Sequence, residues 1–234
     1  MTMNTRFTGG RSAIGRWAAA TAFALMLTLP TPAAGAELKP LPIELPSPAF
    51  QGTPTEIPLT EHMEPPTETL REPFLAPAGT RLLSLHKPVT ASDRNPINGN
   101  LELVTDGIKE AGDSNVLELR RRLQWVQVDL GQPARLVALI LWHAHDVHQF
   151  VHDVIVQVAD DVDFTQNVRI LFNNDYDNSA GLGVGKDKEY LETHEGRLIE
   201  AKAERARYVR WHSNGSTYTA LNRFTEIEVW GITE

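Results

Sequence analysis

Four histidines, His143, His145, His148 and His152, fall within ten residues. Neutral imidazoles so spaced could hold zinc or copper, although Asp146 and Asp153 beside them suit a solvated loop equally well. A second polar stretch, residues 173–188, carries Asp175, Asp177 and Ser179 at the first three alternating positions of a calcium loop. Its sixth position is Ala180 where that loop needs Gly, and its twelfth is Lys186 where it needs a bidentate Glu, so it is no EF-hand. Gly185-Lys186 resembles the end of a phosphate loop, but the earlier Gly is missing and Asp187 stands where Ser or Thr would meet magnesium. Three spaced glycines with Asn173, Asn174 and Tyr176 describe a long loop that its own hydrogen bonds or a ligand must order. No nucleophile with a base, carboxylate pair or open metal site stands out; an Asp-rich loop meeting His194 or His212 is the one assembly that folding could turn into an active site. The expected class is therefore non-catalytic.

Composition narrows the remaining functions. The 234 residues include 22 Lys plus Arg against 30 Asp plus Glu, a formal charge of −8, and no Cys. An acidic chain lacks the clustered cations that nucleic acid or an anionic bilayer requires. Without Cys there are no disulfides, thiolate metal sites, cysteine nucleophiles or lipoprotein anchors.

Residues 1–36 hold Arg6, Arg11 and Arg16 and no acid, then an apolar run over 17–29, then Ala34-Gly35-Ala36. This reads as a secretory signal peptide, too short in its apolar part for a spanning helix and followed at once by Pro30 and Pro32; an uncleaved anchor is the alternative. Cleavage after Ala36 takes the charge from −8 to −11 and implies a secreted or periplasmic protein. Ten of the fifteen prolines lie in residues 37–80, where no apolar period of 2 or 3.6 persists. Such a segment is expected to be a disordered Pro-rich linker, or else an extended recognition segment for a partner.

Residues 81–234 form the folded domain. Apolar runs recur at 82–85, 123–130, 136–142, 154–159, 168–172, 208–211 and 227–230, rich in Val, Ile, Trp and Tyr and separated by Asp, Asn and Gly. These are strands between loops; only 110–122 and 195–205 could support a helical turn. Without strand–helix alternation the class is all-β, a sandwich or jelly roll. In the strand that starts near Trp125, Asp129 can accept from turn amides and Gly131 can take a positive φ, which makes Asp129 structural.

Five stretches of this domain resemble, in order and spacing, the signatures of the discoidin-like (coagulation factor type C) domain: Lys87-Pro88-Val89-Thr90-Ala91-Ser92, Asp106-Gly107, Gln124 through Gly131, Ala206 through Arg210, and Glu226-Ile227-Glu228-Val229-Trp230-Gly231. The resemblance covers about residues 82–232. It implies an eight-stranded, galactose-binding-like jelly-roll β-sandwich, the fold that also contains family 32 carbohydrate-binding modules. It implies a calcium ion near the Asp-Gly turn, with Asp106, Glu226 and an intermediate oxygen from Asp113 or Ser114 as ligands; the lengthened turn at 108–112, carrying Lys109, departs from the pattern. It further implies a glycan or glycoprotein ligand held by loops at one end, with Trp142, His143, Tyr176, Arg210 and Asn214 as stacking and hydrogen-bonding groups. A cell-envelope module that binds another protein is the alternative.

Overall fold

A computed structural model describes residues 37–50, 57–67 and 69–233; the expected signal peptide lies outside them. Among the described residues no helix is long and apolar enough to cross a membrane. The architecture is an all-β antiparallel sandwich with two 3-10 turns, Leu101–Thr105 and Asp113–Asn115. Its strands are β3 (Arg81–Leu82), β4 (Val89–Ala91), β5 (Leu117–Leu119), β6 (Gln124–His143), β7 (Ile155–Ala159), β8 (Arg169–Asn173), β9 (Arg197–Glu200), β10 (Arg205–Ser213) and β11 (Asn222–Thr233), preceded by β1 (Leu38–Pro40) and β2 (Leu75–Pro77).

The long strand β6 belongs to both layers. Its first part pairs with β4 and β10, and β10 continues through β7 to β8. Its second part pairs with β11 and β9. Between the two parts Gly131 takes φ +85°, a conformation that costs a residue with a Cβ, and Asp129 accepts from its amide at 2.8 Å. Arg207 adds two further bonds to Asp129, so that carboxylate is a structural clamp that holds the bend, as its place before Gly131 implies. Val126, Val128, Val209 and Trp211 from one layer pack on Leu139, Leu141, Ile227 and Val229 from the other. The start of the domain closes on β11, with Leu82 opposite Trp230. Strand β9 occupies part of 195–205, where a helical turn was one option; Leu198 and Ile199 join the two apolar clusters and so favour pairing with β6.

Residues 37–80 depart most from expectation. The described parts are not a free linker but a strap against the sandwich. β1 pairs with β2, and Leu41, Ile43, Phe74 and Ala76 pack on the outer face of the second layer with Ala138, Ile140, Trp142 and Trp230. This second apolar cluster explains why residues 138–143 are buried without alternation: a strand buried on both faces needs apolar residues on both. Scattered apolar residues, each too isolated to set a period, are enough to cover a face already built.

Candidate functional site

Antiparallel pairing brings the end of β8, the start of β7 and the end of β10 to one end of the sandwich, through the registers Ile155 opposite Asn173 and His212 opposite Ile155. The loops that follow or precede them deliver Asp153, residues 174–196 and Asn214 to a common surface. There the carboxylate oxygens of Asp153, Asp175 and Asp177 lie within 4.8 Å of one another, an arrangement that could hold a metal ion. The cluster is also extensively hydrogen-bonded. Ser179 Oγ and Asn214 Nδ2 donate to Asp153 Oδ2 at 2.7 and 2.8 Å, the amides of Ser179 and Ala180 donate to Asp175 at 3.0 Å each, and the Ser179 amide also reaches Asp177 at 3.0 Å. Burial, reinforced by the charge of Asp153, raises the Asp175 carboxyl above its ordinary range, whereas the Ser179 amide lowers exposed Asp177. The loop is thus ordered largely by its own bonds, and Tyr176, between the two aspartates, is 46% exposed. The imidazole of His62, from the strap, lies on its ring with centroids 3.8 Å apart and planes 2° from parallel.

A different carboxylate sits near the Asp106–Gly107 turn. Glu226 is fully buried; its Oε2 accepts from the Gly107 amide at 3.2 Å and its Oε1 has no hydrogen-bond partner. Burial, with the charges of Asp106 and Glu228 nearby, pushes its pKa up to about 9. Lys109 does not relieve it directly, because its ammonium is bound to Glu228 at 2.7 Å and to the Glu44 carbonyl at 3.0 Å. Asp106 uses Oδ1 to accept from Ile108. With its proton retained by burial, Glu226 would bind a hard cation by giving up that proton, and the unpartnered oxygen beside a second acid fits such an ion.

The remaining expected site residues are distributed differently. Tyr176 and Asn214 both lie at the acidic loop end, Asn214 bonded to Asp153. Trp142 does not: it is completely buried beneath the strap, donates to the His194 carbonyl at 3.0 Å, and has no free face for a sugar. His143 is buried too, with Nδ1 2.6 Å from Glu192 Oε1. Arg210 stands on the face of the first layer instead of its end, its guanidinium between Trp125 and Phe164 and bonded to Gln127. Asp113 is exposed, and its backbone carbonyl accepts from Asn98; among the described residues it is not grouped with Asp106 and Glu226 as a three-ligand cluster. Nor do the four histidines converge on one ion. His143 faces Glu192, His145 the Lys109 carbonyl, His148 the ring of Phe50 and His152 Glu189. Contact with Glu189 raises the His152 pKa. The partners Glu189 and Glu192 carried no signal in the sequence, lying 37 and 49 residues from the histidines they meet.

No family model matches the chain, and no curated protein does. Among solved structures it is similar to a Clostridium perfringens family 89 glycoside hydrolase in complex with its substrate GlcNAc-α-1,4-galactose, at 16% identity and TM-score 0.48 over 65% of this chain and 15% of that one. A fucose-binding module of Streptococcus pneumoniae is similar at 18% identity and TM-score 0.47, over 66% of this chain and 97% of that one. A chitosan-binding module from a Paenibacillus chitosanase/glucanase is similar at 20% identity and TM-score 0.42, over 64% of this chain and 99% of that one. The chain thus spans only 15% of the length of the clostridial enzyme.

Proposed function

We propose that this protein is a non-catalytic glycan-binding module whose sugar site is the acidic loop end. The observation that carries this reading is Tyr176: an aromatic ring 46% exposed, with His62 stacked on one face, on a loop that hydrogen bonds order at the same end of the sandwich as Asn214 and carboxylate oxygens able to bind hydroxyl groups. Sugar recognition needs that pairing of an apolar face with a few oriented polar groups. A panel of immobilised glycans tests it. Saturable binding that Tyr176→Ala weakens about tenfold or more, without a change in melting temperature, supports the reading. Silence across the panel, with capture of an envelope protein, supports the protein-interaction alternative.

Calcium belongs to the same proposal, at Asp106 and Glu226, where it would displace the proton that burial holds on Glu226 and pair its orphaned oxygen; its role there is structural. So does export to a secreted or periplasmic location. Terminal sequencing of the exported protein should start at Glu37, and recovery of intact Met1 from the cytosol would end that part.

A further inference from the structure

We propose that the strap occupies the sugar platform of its own chain, so that glycan binds only when the segment around His62 lifts away; this rests on the reading of Tyr176 given above. A pyranose stacks on an aromatic side chain with its ring parallel to the aromatic plane, and the His62 imidazole already takes that position on Tyr176, at 3.8 Å and 2°. The rest of the contact resembles a latch. His62 is carried by a short parallel bridge in which the Glu189 amide donates to the His62 carbonyl at 2.9 Å and the Glu64 amide donates to the Glu189 carbonyl at 2.7 Å. Glu64 then grips the Arg197 guanidinium with two bonds of 2.8 Å, and Arg197 lies against the rings of Phe172 and Tyr190.

The flanking sequence keeps this latch short. Pro58 on one side and Pro65 and Pro66 on the other have no amide hydrogen, so the bridge cannot lengthen through them into a stable strand. Two backbone hydrogen bonds, one ion pair and buried Met63 hold the segment down. Farther along, Arg71 bonds to Glu195 and Gly196, and β1 and β2 sit on the second apolar cluster. Release at His62 therefore leaves the strap anchored at both described ends. The apparent affinity of the platform is its intrinsic affinity multiplied by the fraction of molecules in which it is uncovered.

The test uses the full chain and oligosaccharides ending in galactose, fucose, N-acetylglucosamine or glucosamine. His62→Ala and Glu64→Gln should each bind the preferred sugar about threefold to tenfold more tightly than the unaltered protein, with unchanged preference. Saturating sugar should also speed hydrogen exchange at the Glu64 and Glu189 amides, because coupling between strap and ligand is reciprocal. Equal or weaker binding by both variants, with Tyr176-dependent binding intact, overturns the strap proposal and keeps the glycan reading. Absence of binding by the unaltered protein and both variants overturns the two together.

Discussion

The two acidic regions differ in how their charge is met. At the loop end, Asp153, Asp175 and Asp177 are served by a hydroxyl, a side-chain amide and two backbone amides. At the Asp106 turn, buried Glu226 has one amide for two oxygens. An unmet buried acceptor is costly, whereas one already satisfied leaves an arriving ion less to gain. A compact acid cluster is therefore weaker grounds for a required cation than one poorly served carboxylate.

The largest effect should come from calcium itself. A ligand present at a hundredfold excess over its dissociation constant stabilises the folded state by about 2.7 kcal/mol, which for this size of domain raises the melting temperature on the order of 5 to 10 °C. Glu226→Gln should abolish the shift and Asp177→Asn should keep it. The reverse result would move the site to the loop end and invert the comparison.

Next comes pH in the presence of chelator. The Glu226 pKa is about 9 in the folded protein against 4.5 for an unperturbed Glu. Its protonation favours the folded state, so that contribution is complete below pH 4.5 and is lost as pH rises toward 9. Melting scans should fall along this alkaline limb by several degrees, and Glu226→Gln should flatten the fall. His212 works on the opposite limb: burial lowers its pKa from 6.5 to about 3, so stability present above 6.5 declines as pH falls toward 3. His212→Gln should soften the acid limb and leave the alkaline one unchanged. The smallest effect belongs to Asp177→Asn without calcium, since the residue is exposed; its melting temperature should stay within scatter of the parent.

Local rules read from the sequence locate most strands and Asp129. An Asp two residues before a Gly at a strand end fixes its bend through bonds made nearby. Tyr176 and Asn214 also fall where loops converge, because antiparallel strands return their ends to the same place. Trp142 fails as a platform for a distant reason. It shares a face with Ala138 and Ile140, and that face would be open had Leu41, Ile43, Phe74 and Ala76 not covered it. The one clue was the unbroken apolar run over 136–142, too apolar for a strand with one wet face; nothing in the strap announces its partner.

One continuous strand, β6, is shared by the two layers and holds a partner strand on each side in both. Either layer can come apart only by stripping half of a backbone that the other still grips. The sandwich has no line along which it could unzip into two independent sheets, so calorimetry should show a single transition, and the slowest-exchanging amides at the two ends of β6 should report the same global opening.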